Sequence, residues 1–190
     1  MDLKDYIKVY DDVLDPNVCR NAIKVATETE AERWDQDGRP SFNMINITLE
    51  AEKHKKQEWM KIHNELILAI KYASERYMLE LDLRERFPPR NTIEQIRLKH
   101  YAANGIDRFD NHVDIGDHDS ARRFLVLFFY LNDVEEGGET TFTHLDYSVK
   151  PKQGSCLLFP PTWMYPHAGE KPVSNDKYIV GTYLHYVNAN

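Results

Sequence analysis

The stretch RRFLVLFFYLNDVEEGGETTF, residues 122–142, decides the fold class of this chain. An apolar run rich in aromatic residues passes through Asn-Asp and Gly-Gly into a second segment of β-type residues. Such runs, bounded by turn-forming residues, predict β-strands. After residue 92 the pattern recurs in IEQIRLKHY (93–101), SCLLFPP (155–161) and KYIVGTYLHYV (177–187). We therefore expect the C-terminal half of the chain to be a β-sandwich or jelly roll.

The N-terminal half contains two helical segments. Asp15-Pro16 offers an N-cap followed by proline at the first helical position, which predicts a helix over about 16–33. A longer pattern over 50–81 repeats apolar residues at intervals of three and four, as one face of a helix requires. The two prolines of RERFPPRNT then end that helix.

These elements predict one mixed α/β (α+β) domain that spans all 190 residues. Its core would be a jelly roll, or double-stranded β-helix, over about 91–190, and a helical support region over about 1–90 would pack on one face. Two short strands are also expected, at 6–14 and 42–49. A two-domain alternative would divide the chain near Pro88-Pro89.

Composition narrows the class of protein. With a formal net charge of −7, the chain lacks the excess of Lys and Arg that neutralises phosphates, so no nucleic-acid partner is expected. The two cysteines, Cys19 and Cys156, form no paired motif, which favours free thiols in a reducing compartment. The N-terminus has no apolar signal segment, and no apolar run approaches the roughly 20 residues that span a bilayer. A cytoplasmic protein without membrane contact is expected.

A metal site is the main functional hypothesis that the spacing supports. His112-Val113-Asp114 and His144-Leu145-Asp146 each place an imidazole and a carboxylate at positions i and i+2, which share one face of a strand. A third ligand would have to come from His167 or His185. Two histidines and one carboxylate suit non-haem Fe(II) and oxygen chemistry. Spacing alone does not choose between the pairs, and a solvated loop is the alternative for each.

Four motifs, HVD, GGETTF, FP…PHAGEKPV and NDKYIVGTY, occur in this order. With them the chain resembles the Fe(II)- and 2-oxoglutarate-dependent dioxygenases, most of all their prolyl 4-hydroxylase-like branch. The resemblance covers about residues 93–187 strongly and 6–30 more loosely. It implies that the metal ligands are His112, Asp114 and His167, and it gives the second His-x-Asp pair no role.

The resemblance also implies a pocket for 2-oxoglutarate. Lys177 matches the basic residue that binds the distal carboxylate of this co-substrate through a charge-assisted hydrogen bond. Tyr101 and Thr140 are expected to contact the same co-substrate, although the segment between Tyr101 and His112 is longer than is usual in the family. Arg123 is expected either to point toward the substrate or to be a charge at the sheet edge.

Two departures from the family pattern leave the subfamily open. Tyr183 stands where the family often has a tryptophan, and Asn175-Asp176 replaces a glycine that usually precedes the lysine. Neither departure is expected to touch the metal ligands.

The function that the resemblance implies is oxidative. The implied cofactors are Fe(II), 2-oxoglutarate, O2 and ascorbate, and the implied reaction hydroxylates a C–H bond and releases succinate and CO2. The most specific expectation is peptidyl-proline 4-hydroxylation, with a proline-containing protein or peptide as substrate. Two alternatives stay open. One is a 2-oxoglutarate oxygenase that acts on another residue, a free amino acid or a nucleobase; the other is a non-catalytic jelly-roll binding module.

Overall fold

The computed structural model describes residues 2–36 and 40–187. The strands in these residues are β1 (Lys8–Tyr10), β2 (Glu32–Asp35), β3 (Ser41–Asn46), β4 (Asn91–Ile93), β5 (Arg97–Tyr101), β6 (Phe109–His112), β7 (Arg123–Tyr130), β8 (Thr140–Phe142), β9 (Tyr147–Val149), β10 (Cys156–Phe159), β11 (His167–Gly169) and β12 (Lys177–Tyr186). The α-helices are α1 (Pro16–Thr27) and α2 (Gln57–Glu80). A π-helical turn spans Leu49–Lys53, and short 3-10 helices span Leu3–Tyr6, Ser120–Arg122 and Thr143–Leu145. Within the described ranges, no helix has the length and apolar character needed to cross a membrane.

The strands form two antiparallel sheets. The larger sheet has the order β1-β10-β7-β12-β5-β3-β2, with β4 paired to β12, and the smaller has the order β6-β11-β8-β9. Aromatic rings from both sheets pack in one inner core, where Phe142 of β8 meets Phe159 of β10 edge-on with ring centroids 4.9 Å apart. The predicted fold class, a mixed α/β chain with a jelly-roll core, is confirmed.

The packing of strand β7 explains why residues 124–130 of the opening stretch are apolar or aromatic. Alternate side chains of a strand point to opposite faces of the sheet. Leu125, Leu127 and Phe129 pack in an outer core with residues of α1 and α2, whereas Val126, Phe128 and Tyr130 pack in the inner core. Because both faces of β7 are covered, neither face needs polar residues. The helices therefore lie on the outer face of the larger sheet, as predicted.

Helix α1 begins where the sequence predicts. The Asp15 carboxylate accepts a hydrogen bond of 2.6 Å from the backbone N–H of Asn17, and Pro16 is the first helical residue. The predicted end at residue 33 is wrong, because the helix stops at Thr27 and residues 32–35 pair with β3 as strand β2.

The predicted helix over 50–81 consists of two pieces. The π-helical turn ends at Lys53, and α2 starts at Gln57. Lys55, between them, has a φ of 55°, in the left-handed region that helical residues avoid. The predicted apolar face of α2 is confirmed, and its buried members are Trp59, Ile62, Leu66, Ala69, Ile70, Ala73 and Tyr77.

The N-terminal strands are shorter than predicted. The first is Lys8–Tyr10 rather than 6–14, because a 3-10 helix precedes it and Asp12 turns the chain with a φ of 55°. The second is Ser41–Asn46 rather than 42–49. Cys19 and Cys156 are buried and free, as predicted.

Candidate metal centre

His112, Asp114 and His167 come together at the paired ends of β6 and β11, where His112 and His167 are direct cross-strand partners. Each offers one ligand atom, and these atoms all lie within 4.8 Å of one another. The Nε2 atom of His112 is 3.8 Å from Oδ1 of Asp114, and Nε2 of His167 is 3.6 Å from Oδ2. Over residues 2–36 and 40–187, no other three His, Cys, Asp or Glu side chains converge in this way.

Hydrogen bonds fix both imidazoles in the form that binds a metal. Nδ1 of His112 lies 2.8 Å from the carbonyl oxygen of Asp110, and Nδ1 of His167 lies 3.1 Å from that of Tyr165. A carbonyl only accepts, so each Nδ1 carries the proton and each Nε2 keeps its lone pair. Burial lowers the pKa of His112 to about 4 and also lowers the pKa of His167. Both rings are therefore neutral at pH 7.

The donor set matches a divalent metal ion. Nε2 of His167 and Oδ2 of Asp114 are buried and have no hydrogen-bond partner within the described part of the chain. A buried polar atom without a partner costs about 1–3 kcal/mol, and an ion between these atoms would remove that cost. Two imidazoles and one carboxylate leave further coordination positions open, as in non-haem Fe(II) sites.

The second His-x-Asp pair lies elsewhere. His144 is exposed in the 3-10 helix after β8, and Asp146 follows it with a φ of 46°. His185, the other candidate for the third ligand, lies near the end of β12 and contacts the carbonyl oxygen of Tyr186. The structure brings none of these three side chains to the cluster.

A small cavity beside the cluster contains the three side chains expected to contact 2-oxoglutarate. It is lined by both clustered histidines and by Lys177, Tyr101 and Thr140. Lys177 is 1% exposed, and burial lowers its pKa to about 7. It pairs across the sheet with Tyr101, and its ammonium lies 5.3 Å from the centroid of that ring. The Thr140 hydroxyl is 2.7 Å from the Tyr130 hydroxyl.

The long segment after Tyr101 folds into a closed loop. Asp107 is fully buried and accepts a hydrogen bond of 3.0 Å from the backbone N–H of Ala102, which closes the loop on itself. The Arg33 guanidinium donates to the other oxygen of Asp107 at 2.7 Å. Gly105 supports the turn with a φ of +74°. The extra length is thus absorbed without displacing Tyr101 from the cavity.

One departure from the family pattern does touch a candidate ligand, contrary to expectation. The Tyr183 hydroxyl donates a hydrogen bond of 2.7 Å to Oδ1 of Asp114. Arg123 supports the same residue, because its Nη1 donates to the carbonyl oxygen of Asp114 at 2.8 Å. Its other nitrogens bind the Glu94 carboxylate at 2.8 and 2.9 Å, and its guanidinium lies 4.0 Å from the Tyr183 ring centroid. Arg123 lines a larger neighbouring cavity rather than the small one.

Lys99 is the residue that the sequence reasoning missed. It lines both cavities, and its ammonium lies 5.1, 5.4 and 5.8 Å from the ring centroids of Phe42, Phe109 and Phe128. Burial lowers its pKa to about 8. A signal was available, because Lys99 stands two residues before Tyr101 in one strand and so shares its face.

An antiparallel jelly roll in which two histidines and one carboxylate cluster beside a cavity with a buried lysine is typical of one class of protein, the non-haem metal oxygenases. The family follows from comparison with known proteins. Residues 96–185 match the model of the 2OG-Fe(II) oxygenase superfamily, and this segment contains all three candidate ligands and Lys177. The expected resemblance is confirmed: this segment matches the 2OG-Fe(II) oxygenases, and prolyl hydroxylases are among the proteins to which the chain is similar.

Relatives agree with this assignment. The prolyl 4-hydroxylase subunit alpha-1 of Gallus gallus is 27% identical over an alignment of 111 residues, which covers 50% of this chain and 21% of that protein. The chain thus spans about a fifth of the length of this curated relative. The family implies Fe(II), 2-oxoglutarate and O2 as cofactors, and ascorbate is typical of its prolyl 4-hydroxylases, so the expected cofactor set is confirmed.

Solved structures show the same fold. The viral collagen prolyl hydroxylase of Paramecium bursaria Chlorella virus-1, in complex with 2-oxoglutarate, has a TM-score of 0.72 at 19% identity over 96% of this chain and 97% of that chain. A prolyl-4-hydroxylase from Pseudomonas putida has a TM-score of 0.70 at 13% identity over 95% and 92%. The Trichoplax adhaerens prolyl hydroxylase, in complex with a peptide fragment of the hypoxia inducible factor oxygen degradation domain, has a TM-score of 0.65 at 15% identity over 95% and 83%.

Proposed function

We propose that this protein hydroxylates proline in a protein or peptide at C4, using Fe(II), 2-oxoglutarate and O2 and releasing succinate and CO2. The observation that carries the proposal is a shared cavity. The atoms of His112, Asp114 and His167 converge beside it, and two of them are buried without a hydrogen-bond partner in the described residues. The same cavity holds the buried Lys177. A binding module without catalysis would gain nothing from this combination.

In this proposal the metal ligands are His112, Asp114 and His167. The bound metal would activate O2 together with the 2-oxo acid. Lys177 binds the distal carboxylate of 2-oxoglutarate through a charge-assisted hydrogen bond, and the hydroxyls of Tyr101 and Thr140 add neutral ones. Tyr183 and Arg123 act on the carboxylate ligand, because they hold Oδ1 and the carbonyl oxygen of Asp114 and leave Oδ2 free. Arg123 is therefore proposed as a positioning residue for Asp114, in addition to the role toward the substrate expected from the sequence.

The larger cavity is the proposed substrate groove. It adjoins His112 and Asp114, and aromatic residues form much of its wall. Trp34, which is 37% exposed, stacks on Phe42 with ring centroids 5.9 Å apart and an interplanar angle of 11°. A proline ring is apolar and rigid, and aromatic grooves bind proline-containing peptides for this reason. The prolyl hydroxylases among the relatives support a peptidyl substrate.

We also propose that residues 1–190 form one domain, with a support region over about 1–90 and a catalytic jelly roll over about 91–190. A cytoplasmic location is proposed on the two cysteines, which stay buried and unpaired.

A mass-spectrometric screen tests the substrate. Proline-containing peptides are incubated with the Fe(II)-loaded protein, ascorbate and 2-oxoglutarate, and each is compared with a peptide in which alanine replaces proline. We expect a gain of one oxygen on proline that requires 2-oxoglutarate and disappears in His112→Ala. Succinate formation driven only by a free amino acid or a nucleobase would reject proline hydroxylation but keep the oxygenase. No turnover of any kind, with no binding of 2-oxoglutarate, would reject both.

A further inference from the structure

Two lysines, the buried Lys177 and the partly buried Lys99, face the same small cavity. Lys99 and Lys177 both line it, together with His112 and His167. Within the described residues, no carboxylate lies within ion-pair distance of either ammonium. Asp114 acts on Lys99, and Glu139 and Glu170 act on Lys177, only as more distant charges. The proposed function uses Lys177 and leaves the second cation without a role.

Holding two unpaired cations in one apolar cavity is costly. An ionised group away from water is stable only when it is paired, and like charges in one cavity repel each other. Burial lowers the pKa of both lysines, to about 8 for Lys99 and about 7 for Lys177, and the positive charge of Lys99 adds to the shift of Lys177. A cavity with this charge is complementary to a ligand that carries two negative charges.

The strand register places the two lysines at different ends of this cavity. Lys177 pairs with Tyr101, and Lys99 pairs with Ile179, one pleat farther along both strands. A pleat of two residues is about 7 Å long. From Lys177, β12 continues in this direction toward Tyr183, whose hydroxyl holds Asp114. Lys99 therefore lies between the distal-carboxylate end and the metal end.

Three aromatic rings hold the Lys99 side chain in this place. Phe42, Phe109 and Phe128 come from β3, β6 and β7, and each ring centroid is within 5.8 Å of the ammonium. Cation–π contacts stabilise a partly desolvated ammonium but do not neutralise it. The charge is thus fixed by packing and kept available to a ligand.

We propose that Lys99 is a second carboxylate-binding residue, which contacts the carboxylate next to the 2-oxo group while Lys177 contacts the distal one. The inference rests on the proposed function, because it concerns the same co-substrate. It makes the pocket selective for 2-oxo diacids by charge at both ends of the ligand.

The roles of the two lysines can be distinguished with two ligands that differ only at the distal end. 2-Oxopentanoate keeps the carboxylate and the oxo group at one end and lacks the distal carboxylate of 2-oxoglutarate. Binding is measured without turnover, by calorimetry on the Mn(II)-loaded protein and by the visible absorption of the anaerobic Fe(II) protein. We expect Lys99→Met to weaken both ligands by the same factor, roughly 10- to 100-fold, as for loss of a hydrogen bond to a charged group. Lys177→Met should weaken 2-oxoglutarate alone.

Lys24→Met is the matched control. Lys24 is an exposed lysine in the last turn of α1 and lines neither the small nor the larger cavity. Its removal should leave both affinities unchanged, and Lys99→Arg should retain part of the wild-type affinity. If Lys99→Met does not fold, Lys99→Gln removes the charge with less change in polarity.

The outcomes decide the proposal. If Lys99→Met binds both acids with the affinity of the wild-type protein, the proposal is wrong, even if the variant no longer binds peptide. Weakening of 2-oxoglutarate alone assigns Lys99 to the distal carboxylate and also overturns it. Failure of the metal-loaded wild-type protein to bind 2-oxoglutarate would instead reject the proposed function.

Discussion

Asp114 is the residue on which the candidate site depends most. Its Oδ1 accepts a hydrogen bond from Tyr183, and its carbonyl oxygen accepts one from Arg123. Its Oδ2 is buried without a hydrogen-bond partner in the described chain and lies 3.6 Å from Nε2 of His167. One oxygen is thus held by the protein and the other is kept for a metal, which orients the carboxylate before any ion binds.

Removing the Tyr183 hydroxyl should therefore weaken metal binding. We expect Tyr183→Phe to lower Fe(II) or Mn(II) affinity about 10-fold, as for loss of a group that orients a ligand. The ring still packs under Arg123, so the Tm of the metal-free protein should change little. Calorimetry with Mn(II) measures the effect. Tyr178→Phe, on the opposite face of β12, is the control. If the Tyr183 variant binds Mn(II) as tightly as the wild type does, Tyr183 does not orient Asp114 for metal binding.

The two His-x-Asp pairs can be compared directly. Anaerobic addition of Fe(II) and 2-oxoglutarate should give a visible charge-transfer band, because the 2-oxo acid chelates the iron at the open positions. His112→Ala should abolish the band, whereas His144→Ala should retain it, since His144 is exposed and outside the cluster. The opposite pattern would move the site to the second pair.

Burial of Lys177 should make stability depend on pH. Its pKa is lowered to about 7 in the folded protein, against about 10.4 when unfolded. Between these pH values the unfolded chain binds more protons, so the free energy of unfolding rises with pH, by up to about 5 kcal/mol. Lys177→Met should thus raise the Tm of the ligand-free protein at pH 6 by several degrees, with a smaller gain near pH 10.

The control for this experiment must account for the other ionisable groups near Lys177. Lys99 adds its own dependence from pH about 8, and Glu139 and Glu170 partly oppose the shift of Lys177. Comparison of the variant with the wild type at each pH removes these shared contributions. A constant difference in Tm from pH 6 to pH 10 would mean that folding does not lower the pKa of Lys177.

At the scale of elements, boundaries that a local sequence signal marks are predicted well, and boundaries that depend on strand pairing or on one backbone turn are not. Asp15-Pro16 is a complete helix start within two residues, and α1 begins there. Its end at Thr27 depends on the pairing of β2 with β3, which no local pattern encodes. The gap before α2 depends in the same way on Lys55, whose left-handed φ is not typical of lysine.

The candidate site shows the same limit. Spacing left two His-x-Asp pairs and two third ligands open, because the choice depends on the pairing of β6 with β11, strands of four and three residues. Family resemblance supplied that choice, and the structure brings His112 and His167 together. The strand face that Lys99 shares with Tyr101 follows from their spacing, but its position in the cavity depends on the pairing of β5 with both β12 and β3.

The two faces of β7 should have different consequences when altered. Phe129 is buried among the helices, whereas Phe128 lines the small cavity and contacts Lys99. Phe128→Leu and Phe129→Leu should each destabilise the protein by about 1–2 kcal/mol, measured by denaturant unfolding. Only Phe128→Leu should also weaken binding of 2-oxoglutarate to the Mn(II) protein. Equal effects of both variants on that affinity would show that the outer core shapes the cavity too.

At the scale of the whole molecule, the outer core joins the two predicted regions. Trp59, Leu66 and other residues of α2 pack in one cluster with Leu127 of β7 and Val180 of β12. These residues lie on both sides of Pro88-Pro89. Separation of the chain at the prolines would expose the apolar face of α2 and the outer face of the larger sheet together, at a cost of about 25 cal/mol for each Å² of apolar surface.

Hydrogen exchange tests whether the chain is one cooperative unit. If the helices and the jelly roll share a core, the slowest amides of α2 and of β7 should open with the same free energy. Binding of Mn(II) and 2-oxoglutarate acts at the jelly roll, yet it should raise the protection of both elements equally, because a ligand stabilises the whole unit that must fold to bind it. Mass spectrometry of proteolytic peptides reports the two elements separately. A lower opening free energy for α2, unaffected by ligand, would divide the molecule near Pro88-Pro89, and would mean that the buried face of α2 strengthens the sheet without being required for its folding.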